Sequence, residues 1–228
     1  LKNSEDKSDK PKPPRSWDDT GNADRFLDLY GDIARYSYTN KVWYVYNGAA
    51  WEEDTTGQIY VMIDGMIETM KNEKVSLPEG IDEKEEAKLV KAWHAHIKRT
   101  RNNAGKKALM DELKHRLPVR DDEFDQAKML LNTNNGYIDL TDGVLHDHDI
   151  KQMFSNQAAV EYTDNIDAPR WEQFLDEIFA GDKDLIHYIQ KAVGYSLTGS
   201  IKEQVMFILH GDGNNGKSLF IEVLSDII

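Results

Sequence analysis

The stretch Gly211-Asp212-Gly213-Asn214-Asn215-Gly216-Lys217-Ser218 has residue types and a spacing that suggest one specific chemistry. It fits G-x-x-x-x-G-K-[ST], the phosphate-binding P-loop pattern. Glycines at 211, 213 and 216 let the backbone curl so that successive N–H groups face one anion. Asn214 and Asn215 tolerate the left-handed conformations that such a loop needs. Lys217 supplies a point charge for β- and γ-phosphates and is the candidate catalytic residue. The Ser218 hydroxyl suits Mg²⁺, and the positive end of a following helix faces the same anion. ATP with Mg²⁺ is therefore the implied cofactor. Asp212 is the discordant residue, a carboxylate at a variable position from which it can turn to solvent. The bland alternative is a glycine-rich turn that binds nothing. The full eight-position pattern, set between an apolar run and a helix-like run, favours the nucleotide.

The elements that must hold such a loop are a strand before it and a helix after it. Val205-Met206-Phe207-Ile208-Leu209-His210 predicts the strand, over 205–210, and Lys217-Ser218 opens the helix. P-loop domains build a parallel sheet from several βαβ units of roughly 30 residues each. Only ten residues follow Ser218 here, and the chain begins at Leu1 in a polar stretch. The expectation is an internal piece of a longer protein, carrying the first strand–loop–helix of an α/β ATPase.

The 228 residues can hold one large or two small domains. No window approaches ~18 consecutive apolar residues, so no membrane span is predicted. Cysteine is absent, which excludes disulfides and cysteine zinc sites. A net charge of −13 argues against binding nucleic acid over the whole surface, but the charge is unevenly spread. Residues 91–120 hold nine Lys/Arg against two Asp/Glu, whereas residues 121–190 hold four against sixteen. A basic patch of Lys98, Arg99, Arg101, Lys106 and Lys107 at a helix–helix junction is the candidate DNA contact. A solvated helix face explains those charges equally well.

In chain order, residues 1–16 read as a disordered linker, extended through Pro11-Lys12-Pro13-Pro14. Thr20 is the predicted cap of a short helix that carries Phe26, Leu29 and Tyr30 and stops at Gly31. Segments 35–38, 42–46 and 50–52 alternate around turns at Thr39-Asn40-Lys41 and Asn47-Gly48, which predicts an antiparallel meander. Its Trp and Tyr residues read as core beneath a small sheet, with base stacking as the alternative. Ile59, Met62, Ile63, Met66, Ile67 and Met70 fall on one helical stripe. A helix over about 83–100 buries Leu89, Val90, Trp93 and Ile97 and turns Lys91 and Lys98 away. A turn at 102–105 then leads into a further helix with Leu109 and Leu113, up to Pro118. Asp142-Gly143 between apolar segments predicts a hairpin over 137–146, and an extended piece covers 158–162. Asp167 is the predicted cap of a helix bearing Trp171, Phe174, Leu175, Ile178 and Phe179. Asp182 caps the next, whose Leu185, Ile186, Ile189, Ala192 and Val193 are predicted to be buried.

Two histidine pairs invite a metal reading. His94 and His96 point about 200° apart on a helix and cannot share an ion. His146 and His148, beside Asp147 and Asp149, could do so on a strand, although a polar hairpin end accounts for them.

With these segments in order, the chain resembles the helicase half of phage, plasmid and poxvirus primase-helicase proteins, whose ATPase belongs to superfamily 3. The resemblance is carried by Asp19 to Phe26 with Tyr30-Gly31 and Trp43 to Trp51, then Leu130 to Leu140 with His148-Asp149. It continues through Trp171 to Phe179, Gly194 to Gly199, and Gly213 to Ser218. It covers most of residues 17–228, with the P-loop its most specific part. The fold it implies is an α+β accessory domain of helices and small antiparallel hairpins over 17–155. A helical segment over 156–203 and the first unit of an AAA+-like ATPase over 204–228, truncated, would follow. It implies an ATP-dependent DNA helicase of phage, plasmid or viral replication, a hexameric ring moving on single-stranded DNA in the host cytoplasm, with an upstream primase module. Gly211, Gly213, Asn214, Asn215, Gly216, Lys217 and Ser218 would hold the nucleotide. The second acidic motif, sensor, arginine finger and DNA-tracking loop of such motors have no counterpart in these residues, so the chain alone is expected not to turn over ATP. A P-loop small-molecule kinase and a non-catalytic DNA-docking or oligomerisation module are the competing readings.

Overall fold

The computed structural model describes residues 14–75, 77–78, 80–211, 213 and 215–227. The expectations for residues 1–13, Asp212 and Asn214 lie outside them. The fold is a mixture of helices and two small sheets. It divides into two compact units: residues up to Val45 with Glu53–Val119, and Tyr46–Glu52 with Arg120 onward.

The first unit is built on α1 (Asp19–Tyr30), α2 (Gln58–Met70), α3 (Glu83–Arg101) and α4 (Asn103–Lys114), with a small sheet. The Ile/Met stripe behaves as its spacing predicts. Ile59, Ile63, Met66, Ile67 and Met70 of α2 are all at most 1% exposed and meet Phe26, Trp93 and Leu109 in one core. Its sheet holds β1 (Ala34–Ser37), β2 (Val42–Tyr46) and β4 (Pro118–Val119), in the order β2-β1-β4, while β3 (Trp51–Glu53) falls mostly in the segment of the second unit. The predicted meander supplies β1 to β3. β1 and β2 pair antiparallel with Tyr36 opposite Trp43, and both side chains are core. β4 was not expected; it pairs parallel with β1, Ser37 opposite Val119.

Several local assignments change. The cap of α1 is Asp18, not Thr20: its carboxylate accepts from the Gly21 amide at 2.8 Å, while Thr20 already lies within the helix. Leu29, placed on the inner stripe by spacing, is 46% exposed. The turn predicted at 102–105 contracts to a single residue. Asn102 ends α3 and begins α4, with its side chain accepting from the Gly105 amide at 2.8 Å. Asn is an efficient N-cap, so no further linker is needed.

The second unit holds β5 (Leu130–Thr133), β6 (Gly136–Asp139) and β7 (Val144–His146) as an antiparallel sheet, then α5 (Pro169–Ile178), α6 (Lys183–Ser196) and α7 (Lys217–Ile227). The β6–β7 hairpin turns at the predicted Asp142-Gly143, placing Ile138 opposite Leu145. Trp51, 1% exposed, packs beside Phe124, and its backbone amide donates to the Phe154 carbonyl at 2.7 Å. Asp182 caps α6 as predicted, accepting from the Leu185 amide at 3.0 Å. Asp167 does not cap α5. The capping position is Ala168, with no side-chain bond, and Pro169 opens the helix where a missing N–H costs nothing.

Two further expectations fail together. Residues 205–210 form no strand; Met206 is 81% exposed and Ile208 72%. The apolar stripe of α6 is not buried either, and Leu185 is 40% exposed. The physical reason is common to both. A mostly apolar strand requires ladder partners on its edges and packing on its faces, and among the described residues no strand lies beside 205–210. An α/β ATPase sheet is therefore not formed by the described residues.

Candidate nucleotide and nucleic-acid sites

Helix α7 begins at Lys217, where the sequence pattern ends its loop. The Phe220 amide donates to the Gly216 carbonyl at 2.9 Å, so the first helical bond starts from the last loop glycine. Amides in the first turn of a helix have no intrahelical partner and face outward from its positive end. The loop's described glycines take left-handed backbone angles, φ being +100° at Gly213 and +79° at Gly216.

The Lys217 side chain folds back over this loop. Its Nζ donates to the Asn215 Oδ1 at 2.6 Å and to the Gly211 carbonyl at 3.1 Å. Both partners are neutral oxygens, and among the described residues no carboxylate pairs with Lys217. Ser218 is exposed beside it. Among the described residues, an ammonium held by neutral acceptors, an exposed hydroxyl and a helix start make a donor set that fits a phosphate and a hard cation. The structure brings Gly211, Asn215 and Lys217 into contact and leaves Gly213 open, with no atom within 4 Å of a Cβ placed there.

What anchors the loop was not read from the motif. Gly216 lies against Phe174 and Ile178 of α5. Phe220, 3% exposed, stacks on Trp171 at 5.7 Å and meets the edge of Phe179 at 6.5 Å. The signal was present in the aromatic face of α5, but periodicity alone does not say what that face covers. Beside Lys217, a cavity of about 380 Å³ is walled by Phe179, Tyr188, Ile189, Ile208 and Phe220.

The five candidate DNA-contacting residues separate into different roles. Lys106 is mostly covered and forms an ion pair with Asp64. Arg99 donates to the Trp17 carbonyl at 3.3 Å and to His96 Nδ1 at 3.0 Å. Lys98, Arg101 and Lys107 remain exposed. Lys98 and Arg101 join Lys71 and His94 around a shallow hollow of about 250 Å³ floored by Ile97. Lys106 and Arg99 thus have partners within the first unit, although Arg99 is itself exposed, and the other three face outward.

His96 is 5% exposed and belongs to a buried polar network. Because Arg99 donates to Nδ1, the Nε2–H of a neutral ring donates to the Asn22 Oδ1 at 2.9 Å. Asn22 in turn donates to the Thr100 hydroxyl at 3.1 Å. Burial, with Arg99 and Arg25 nearby, holds this imidazole below the usual histidine range. His94, two residues earlier, is exposed, as their helical spacing requires. His146 stacks on Tyr137 at 5.1 Å, and His148 faces the Asn134 carbonyl at 3.4 Å. Among the described residues no group of three His, Asp or Glu comes together as metal ligands. No helix among them is long and apolar enough to cross a membrane.

Comparison with known families gives a match to residues 23–180 by the family described as D5 N terminal like. No curated protein matches the chain.

Proposed function

The chain belongs to the D5 N terminal like family, an N-terminal domain of phage and viral primase-helicase-type proteins in replication, and from that membership we propose that it is part of an ATP-dependent DNA helicase. In this reading residues 17–155 are the domain preceding the motor, 156–203 lead into it, and 204–228 are the motor's beginning, with its loop and the helix that follows. The motor is of the superfamily 3, AAA+-like type. It works as a ring of subunits on single-stranded DNA, with a primase module upstream, in the replication of phage, plasmid or viral DNA in the host cytoplasm.

The observation that carries the reading is positional. The family match ends at residue 180, and a complete G-x-x-x-x-G-K-S pattern follows at 211–218 with Lys217 turned over its own loop. Gly211, Gly213, Asn214, Asn215 and Gly216 would present backbone amides to the triphosphate. Lys217 would exchange its two neutral acceptors for phosphate oxygens, and Ser218 would hold Mg²⁺. Bound Mg-ATP supplies the phosphoanhydride whose hydrolysis drives movement. The protein's part is to position the phosphates and neutralise their charge.

A test of the loop itself is titration of Mg-ATP onto the chain and onto Lys217→Ala. Weak, Mg²⁺-dependent binding that disappears in the variant is the expected result. Equal binding by both proteins would remove the loop from the account. A P-loop kinase remains the second reading, favoured by phosphotransfer that ignores DNA. The exposed Lys98, Arg101 and Lys107 are compatible with a third, a DNA-docking module that acts without turnover.

A further inference from the structure

Helix α3 runs for 19 residues, and its two long faces differ in kind. Trp93, His96, Ile97 and Thr100 are buried in the first unit. Away from that stripe Lys84, Lys88, Lys91 and Lys98, with Arg101 at its flank, follow one another at spacings of four, three, seven and three, and all five are exposed. Residues three and four apart are neighbours on a helix surface, so these cations form one row about 26 Å long at 1.5 Å rise per residue. His94 fills the gap between Lys91 and Lys98. At the C-terminal end the row widens into the hollow that Lys71, from the end of α2, shares with His94, Lys98 and Arg101.

The charge placement is not that of an ordinary solvated face. A helix stabilises itself by placing Glu four residues before Lys. The first turn of α3 is rich in Glu, yet the residues four after Glu83, Glu85 and Glu86 are Ala87, Leu89 and Val90. Glu85 stands three residues before Lys88 without forming an ion pair, and the remaining neighbours along the row are like charges: Lys84 with Lys88, Lys88 with Lys91, Lys98 with Arg101. Among the described residues no carboxylate lies within ion-pairing distance of these five cations, and of the wider row Lys71 pairs with the exposed Glu68 at 2.6 Å. Repulsion along the row weakens the helix, and in a chain of net charge −13 the stretch from Ala87 to Arg101, which holds five Lys/Arg and no Asp or Glu, stands apart. An anionic polymer running along the row would relieve that repulsion.

We propose that the outward face of α3, from Lys84 to Arg101 and continued by Lys71, is a track for the phosphodiester backbone of single-stranded DNA. A single row of cations suits one strand. Ile97 is the sole apolar residue at the hollow and no Phe, Tyr or Trp lines it, so the contact is with phosphates more than with bases. The identity of the polymer rests on the helicase reading above, but the track does not involve Lys217. It differs from the junction patch expected from sequence: Arg99, Lys106 and Lys107 drop out, and Lys71, Lys84, Lys88 and Lys91 enter.

The test is fluorescence anisotropy of a labelled oligothymidylate titrated with the chain over a range of salt concentrations, without nucleotide. Each phosphate contact to a single strand contributes about −0.7 to the slope of log K against log salt. Replacing Lys88, Lys91, Lys98 and Arg101 together by Gln is expected to make that slope shallower by about 2.8, with the helical circular dichroism unchanged. Replacing the three lysines by Arg should retain it. A Lys151→Gln, Lys191→Gln protein, altered in the second unit and not on α3, should bind as the unaltered chain does. No binding by the unaltered chain, or an unchanged slope in the folded Gln variant, would overturn the proposal. So would displacement of the oligonucleotide by inorganic phosphate or thymidine monophosphate at matching phosphate concentration, which would mark a site for free anions. Lys217→Ala should bind DNA normally. If Mg-ATP binding fails while this track behaves as described, the motor reading falls and the track stands.

Discussion

Gly216 and Ile178 are in direct contact: a Cβ placed on Gly216 would lie 2.5 Å from the Ile178 Cγ2. The helix before the loop therefore sets the position of the loop's last glycine, and with it the start of α7. Gly216→Ala must both strain a backbone at φ +79° and push Ile178 aside. The expected cost is about 1–3 kcal/mol, seen as faster hydrogen exchange across α5 and α7. Gly213→Ala, at φ +100° with open space around it, should show the backbone strain alone and a smaller effect.

Arg25 is the pin of the first unit. Its guanidinium forks onto Glu73 through two bonds of 2.7 Å, donates to the Ser16 carbonyl at 2.9 Å and lies over the Trp93 ring at 5.2 Å. Arg25→Ala should cost about 2 kcal/mol, because Glu73 is partly exposed and can rehydrate while the Ser16 carbonyl loses its donor. Arg25→Lys should recover little of that, since an ammonium cannot reproduce the fork. Urea unfolding of the three proteins gives the ranking.

The buried His96 predicts a pH dependence with a definite sign. Its folded-state pKa is held below the ordinary 6.5 by burial, with Arg99 and Arg25 nearby; Asp18 and Asp19 oppose them more weakly. The unfolded chain therefore binds the proton first. Stability from the neutral ring is complete above about pH 6.5 and is lost as pH falls through the window beneath it. His96→Gln should flatten the urea midpoint across that window. A midpoint that falls equally in both proteins would contradict the assignment.

Capping separates sequence pattern from structure. Asp18→Ala should cost about 1 kcal/mol and Thr20→Ala almost nothing, although both residue types are good caps. Asn102→Ala should also cost about 1 kcal/mol, because that side chain caps α4 immediately where α3 ends. Thermal unfolding of the three variants decides each assignment.

How far the sequence was legible follows from which interactions are local. The Ile/Met stripe of α2, the Asp142-Gly143 hairpin and the Asp182 cap depend on near neighbours and were placed correctly. Thr20 and Asp167 failed as caps because Asp18 and Pro169 hold the competing positions a residue or two away. β4 was missed because two residues, Pro118 and Val119, become a strand only through distant β1. At the candidate loop, the glycine spacing and the helix start at Lys217 were legible. The Trp171–Phe220 stack beneath it was not, since nothing in a single helix says which partner its aromatic face meets. Lys106 could not be removed from the basic patch by sequence alone, because its partner Asp64 lies 42 residues away.

The central claim is that residues 211–218 hold Mg-ATP in a motor driven by DNA. Its most direct test is ATP hydrolysis, with and without single-stranded DNA, by this chain extended by about 150 residues, roughly one more domain, beside the same protein carrying Lys217→Ala. The account predicts turnover that rises when DNA is added and vanishes in the variant. Turnover that ignores DNA, or that survives the loss of Lys217, would contradict it.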